Sequence, residues 1–198
     1  MQSSREIEEQ IENYKLKFID VRDERIEWEI KLPMFVETFN RFIREKGAIP
    51  FQDDFVERYF EDNAAELRSV LSSQSLKTGL EARLRRTYPS LVRDVHLNAL
   101  LKEKGMEVYY DQETDIAGGV DHTVLFKGTT FYVHGYVGTS RGRFGRRVKG
   151  RRHKFRGMHI DLVLDLGGQS TKKVGDFYLY SEKNVEDLIS EMEKRLKK

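Results

Sequence analysis

Apolar positions in the first third of the chain recur at helical spacing. Ile7, Ile11, Tyr14, Phe18 and Val21 fall at steps of four, three, four and three, with Glu and Lys between them, which predicts one long amphipathic helix over residues 5–32 stopped by Pro33. Phe35, Phe39, Phe42 and Ile43 predict a second helix over 35–45, ending at Lys46-Gly47, and Phe55, Val56, Tyr59 and Phe60 a third after Pro50, running toward Leu67 and Val70. Aromatic residues at this spacing read as core. The stripe from Ile7 to Val21 reads either as a face packed on its own domain or as a surface for a second copy, which would make a homodimer through the N-terminal helices. The Ser-rich stretch 71–75 is the best boundary in the chain, giving a helical N-terminal region 1–74 and a second region 75–198.

Beyond that boundary the period changes. Residues 76–105 read as helix, broken near Pro89, and are followed by short β-rich runs over 106–110, 119–127, 129–138, 158–166 and 176–180. Ser181-Glu182-Lys183-Asn184 then opens a closing helix carried by Val185, Leu188, Ile189, Met192 and Leu196. The fold class is α+β or α/β: a helical N-terminal region followed by a mixed β-sheet flanked by helices. Alternation along the strands sets Val124 and Phe126 against Asp121 and Thr123, Phe131, Val133 and Val137 against Tyr132, His134 and Tyr136, and Ile160, Leu162 and Leu164 against His159, Asp161, Val163 and Asp165. Lys127-Gly128 is short enough for an antiparallel hairpin. The sheet would then have one apolar face and one carrying Asp121, His134, Tyr136, His159 and Asp161, although an ordinary solvent-facing sheet has the same pattern.

Composition narrows the chemistry. With 198 residues, 38% apolar and 34% charged, and twelve Phe and nine Tyr, the chain is too aromatic for a disordered tail and too charged for a membrane protein. No cysteine is present, which excludes disulfides, thiol nucleophiles, iron–sulfur clusters and cysteine-bound zinc. The acidic N-terminus does not read as a signal peptide and no long apolar run exists, so the cytoplasm is the expected compartment and a membrane is not an expected partner. No Walker-type loop, Gly-x-Ser-x-Gly elbow or dinucleotide-binding glycine motif is found.

The net charge of +2 hides a segregation. Between His122 and Ile160 there are ten Lys and Arg and no Asp or Glu, leaving about −8 on the rest of the chain. Nine of those cations, Arg141, Arg143, Arg146, Arg147, Lys149, Arg151, Arg152, Lys154 and Arg156, crowd into residues 140–157 with four glycines and the aromatics Phe144 and Phe155. Such a run cannot build a core. Arg forks bind phosphate in bidentate fashion, glycines let backbone approach it, and aromatics stack on bases. The bland reading is a solubilising loop; the sharper one is a clamp on a nucleic-acid backbone, for which six phosphate contacts on a duplex would give a log affinity against log salt slope of roughly −5.

A helix containing Glu81, then a strand, a strand opening on Gly-x-Asp at Asp121, its hairpin partner and a long basic loop together resemble the PD-(D/E)XK nuclease superfamily, the restriction-endonuclease-like fold, over about residues 75–166. The resemblance implies that Asp121 is the family's metal-binding Asp, that Glu81 is a helical carboxylate ligand, and that Mg²⁺ or Mn²⁺ is the cofactor. The chain departs from the pattern where the family has Glu-x-Lys, for it carries His134-Gly135-Tyr136. Histidine shifts preference toward softer transition metals or marks a lost site. Asp161 is a substitute carboxylate, and Lys149, Arg151, Lys154 or Arg156 could supply the missing charge near the phosphate.

The leading expectation is a metal-dependent phosphodiesterase acting on DNA more readily than RNA, with Asp121, Glu81 and Asp161 as ligands and His134 as ligand or water-orienting base. A non-catalytic DNA or RNA binder using only the Arg-rich loop, of the kind that suits a phage, plasmid or defence setting, stands beside it. So does a binder of a small phosphorylated ligand such as a nucleotide. His122, His134 and His159 lie on three expected strands, where they could also cluster as metal ligands.

Overall fold

The structure is a computed structural model that describes residues 2–109, 120–140, 142–144 and 157–197. Its helices and mixed four-stranded sheet make it an α+β protein. Two compact units divide the chain, Met1–Val92 and Arg93–Lys198.

The first unit is helical. Helix α1 (Ser4–Ile11) opens on a capping box, in which the Ser3 hydroxyl accepts the Glu6 N–H while the Glu6 carboxylate accepts the Ser3 N–H. It ends after two turns, so the single helix expected over 5–32 is not formed. Ile7 and Ile11 are buried, whereas Phe18 is 60% exposed, and beyond Ile11 the only helical piece before residue 33 is a π-helical turn, Arg25–Glu29. Tertiary contacts override the periodicity. Fully buried Gln52 accepts the Lys17 N–H on its side-chain oxygen (2.8 Å) and donates its own N–H to the Tyr14 hydroxyl (3.2 Å), and the Tyr14 ring stacks on Phe51 at 5.2 Å. Hydrogen bonds to a fully buried residue and ring contacts of this kind outweigh a helix propensity of roughly a few tenths of a kcal/mol per residue.

Helices α2 (Phe35–Lys46) and α3 (Gln52–Asp62) form where the aromatic spacing places them, and the short α4 (Arg68–Leu71) follows. Their apolar faces meet edge to face, Phe39 on Phe55 at 5.5 Å and Phe35 on Tyr59 at 5.2 Å. The Ser-rich stretch 71–75 leads into α5 (Gln74–Glu103) within this unit. Contrary to the expected break, α5 runs unbroken through Pro89. Proline has no N–H to give the Arg85 carbonyl four residues back. Gln52 Nε2 donates to that carbonyl instead, at 3.0 Å, so one buried amide from α3 repairs the gap in the helix.

The second unit holds a sheet in the order β1 (Glu107–Tyr109), β2 (His122–Phe126), β3 (Thr129–Val137), β4 (Met158–Leu164). The first three strands form an antiparallel meander, and β4 lies parallel to β3. Lys127 and Gly128 join β2 to β3 with φ of 49° and 77°, the two positive values that match a two-residue hairpin to the twist of its strands. A separate hairpin, β5 (Thr171–Val174) and β6 (Phe177–Tyr180), adds one strand to those the sequence predicts. Helix α6 (Glu182–Leu196) opens on a second capping box, Ser181 with Asn184. On one face of the sheet Val124, Phe131, Val133, Ile160, Leu162 and Leu164 are buried with Leu97, Leu100 and Leu101 of α5 and Val185, Leu188 and Met192 of α6. Each such side chain contributes about 1.5–3 kcal/mol on burial. Among the described residues no helix is long and apolar enough to cross a membrane.

Candidate functional site on the polar face of the sheet

Strand register sorts the remaining side chains. Tyr132 pairs with Thr123 on one side and His159 on the other, and His134 with Asp161. Residues at paired positions share a face, so Tyr132, His134, Tyr136, His159 and Asp161 stand together on the face away from the apolar core, as the alternation predicts. Asp121, one residue before β2, joins them. Its Oδ2 accepts the Gly135 N–H at 2.9 Å, which ties the mouth of β2 to the middle of β3. Asp161 is exposed, Tyr132, Tyr136, Asp121 and His159 are partly buried, and His134 is only 1% exposed.

Two of these rings share a proton. His134 Nε2 lies 2.9 Å from His159 Nδ1, with ring centroids 5.2 Å apart and planes within 7°. That centroid separation is accounted for by the N···N contact and the two ring radii, so the rings meet head-on in a common plane rather than face to face. One imidazole donates and the other accepts, which sets the two tautomers together. The Tyr132 ring lies against His159 at 5.1 Å and 37°, and it also crosses the backbone of Gly157, where a Cβ would come within 2.4 Å of Tyr132 Cε2. Arg195 holds the strand itself, its Nη1 donating to the His159 carbonyl at 2.6 Å and its Nε to Glu191 at 2.7 Å.

The third histidine does not join them. His122 pairs with Val133 and faces the apolar core, so the three-histidine cluster is not formed. Among the described residues neither of its ring nitrogens has a hydrogen-bond partner. Burial pushes its pKa down to about 4, with the nearby Asp121 charge opposing the shift.

Glu81 belongs to the first unit. Arg85 donates to it through Nε (2.9 Å) and Nη2 (2.8 Å) and also reaches Asp53 at 2.6 Å, which in turn binds Lys17. Its carboxylate thus serves an ion-pair network on α3 and α5. The divalent cation implied by the resemblance needs several oxygen ligands, and among the described residues no three His, Asp or Glu are grouped so as to hold a metal ion. With one oxygen of Asp121 accepting the Gly135 N–H, the described residues do not by themselves make such a site.

Sequence reasoning missed a neighbour of Asp121. Tyr180 is fully buried, donates to the Leu162 carbonyl at 3.1 Å, and lies where a Cβ on Gly135 would come within 2.9 Å of its hydroxyl. Burial pushes its phenol far above the usual value. Asp94 adds to the effect, Arg93 opposes it, and Asp121 adds again, so Asp94 of α5 and Asp121 act on one buried hydroxyl. No motif marks Asp94, because a helical Arg-Asp pair reads as solvated surface.

Of the nine clustered cations, Arg143 is among the described residues. It is exposed, on a helical turn where its N–H donates to the Thr139 carbonyl at 2.9 Å and the Thr139 hydroxyl accepts the Gly142 N–H at 3.1 Å. Phe144 beside it is 57% exposed. Arg141, Arg146, Arg147, Lys149, Arg151, Arg152, Lys154 and Arg156 lie outside the described residues. Comparison with known proteins finds no match: no family model, no curated protein and no solved structure matches the chain.

Proposed function

We propose that the protein acts on nucleic acid, with residues 140–157 gripping the phosphate backbone and the polar face of the sheet acting on a phosphodiester. One observation carries the reading. His134, His159 and Asp161 share one face of β3 and β4, Asp121 is tied to β3 by its bond from the Gly135 N–H, and the nine-cation segment is the connection between those two strands. The order of elements behind the resemblance supports it: helix α5, β1, β2 opening at Asp121, the hairpin partner β3, then the basic segment. Recognition would be by charge, through counterion release, and DNA is the first polymer to try.

A purely binding role is the second reading, favoured by the engagement of Glu81 with Arg85 and by the want of a three-ligand group among the described residues. Wild type and Asp121→Ala, incubated with duplex DNA, single-stranded DNA and RNA in Mg²⁺, Mn²⁺ or chelator, separate the two on one gel. Cleavage by wild type that Asp121→Ala loses is the expected result. Salt-sensitive retention without cleavage by either protein would leave the binder, and no retention at all would refute a nucleic-acid role and bring forward a small phosphorylated ligand.

A further inference from the structure

We infer that His159 is the group this face presents to a phosphodiester and that His134 is a positioning residue acting through it; the inference rests on the nucleic-acid reading above. Burial separates the two roles. At 1% exposure His134 cannot meet a polymer, whereas His159 is partly open on the same face, two residues from exposed Asp161. Three described neighbours fix the position of His159. His134 Nε2 holds Nδ1 in the ring plane at 2.9 Å, Tyr132 lies against the ring, and Arg195 anchors the carbonyl. A ring so held loses its rotational freedom before any ligand arrives, which is what orients an acid–base group.

We take His134 Nε2 as the acceptor of the head-on contact, so that His159 carries its proton on Nδ1 and works through Nε2. In hydrolysis, a water proton passes to His159 Nε2 as the water oxygen bonds to phosphorus, the bond from phosphorus to the departing sugar oxygen breaks, and that oxygen takes a proton from solvent. The place of His159 in the chain fits the role, for it stands two residues after Gly157, where the cationic segment rejoins the sheet.

The test is histidine ¹⁵N NMR at one fixed pH, with a phosphorothioate DNA oligonucleotide as an uncleaved probe, on wild type, His134→Gln and His134→Phe. Glutamine keeps a polar atom near the position of Nε2 and phenylalanine does not. The expected result is His159 in the Nδ1–H tautomer in wild type and His134→Gln, with Nε2 shifted by the oligonucleotide. In His134→Phe that tautomer is lost and the shift falls, while affinity for the oligonucleotide stays within about twofold because the Arg-rich segment carries it. Where wild type cleaves, His159→Ala lowers the rate by roughly 10²–10⁴ with binding retained. Binding that leaves His159 unmoved, or a His134→Phe protein with unchanged tautomer and shift, overturns this inference alone. No binding by wild type removes the nucleic-acid reading and this inference with it.

Discussion

His122 should make the protein acid-sensitive, and a single substitution should remove that sensitivity. The imidazole faces the apolar core beside Val133 with neither nitrogen hydrogen-bonded among the described residues, and its pKa is pushed from 6.5 down to about 4 by burial. In the unfolded chain the same group takes a proton near its ordinary value. Between pH 6.5 and 4 the unfolded state therefore binds the extra proton, and stability falls as pH falls through that window. The depression corresponds to about 3 kcal/mol, most of it lost by the time the pH reaches 4. Urea unfolding of wild type and His122→Leu at intervals from pH 7.5 to 4 reads this term as a difference, since the other titrating groups are common to both proteins. The two curves should diverge by about 3 kcal/mol over the window. Leucine should equal or exceed wild type at pH 7, because it buries no unpaired polar atom. Parallel curves would refute the reasoning.

The repair of α5 at Pro89 makes a paired prediction. Gln52→Leu should cost about 1–3 kcal/mol in chemical unfolding, because it strands the Arg85 carbonyl and removes the acceptor of the Lys17 N–H. Pro89→Ala, which returns an N–H to the helix, should recover about 1 kcal/mol in that background and little in wild type; additive effects would disprove the link. At the edge of the site, Gly157→Ala should displace the Tyr132 ring, costing about 1–3 kcal/mol and shifting the His159 ring resonances. Unchanged His159 resonances would show that Tyr132 does not brace that ring.

Most of the second unit was legible in the sequence because its signals are local. Alternation in Phe131–Val137 and in β4 reports which side meets the core, Lys127-Gly128 fits a hairpin turn, and Ser181 with Asn184 caps a helix. The faces of the sheet, and with them Asp121, His134, His159 and Asp161, follow from that alternation alone. What failed depended on contacts distant in sequence. The stripe from Ile7 to Val21 looks helical, but Gln52, more than thirty residues on, holds Tyr14 and Lys17 out of a helix. Of that stripe Ile7 and Ile11 are buried, whereas Phe18 and Val21 are exposed. Pro89 looks like a break for want of the same Gln52. For Glu81 and His122 residue type alone suggests a ligand, while only the packing shows Arg85 on one and apolar neighbours around the other. The hydrogen bond between His134 and His159 needs the parallel register of β3 on β4, which no local pattern encodes.

That parallel pairing has a consequence for how the protein can vary. Two antiparallel strands tolerate a turn of two residues, but parallel neighbours require a return crossover of about a dozen residues or more. Val137, at the end of β3, and Met158, at the start of β4, lie at opposite ends of the sheet, so the chain between them is obligatory as a connection whatever it carries. Shortening it to a turn would unmake the sheet, so a gene that loses the segment by deletion loses the strand pairing together with the cations.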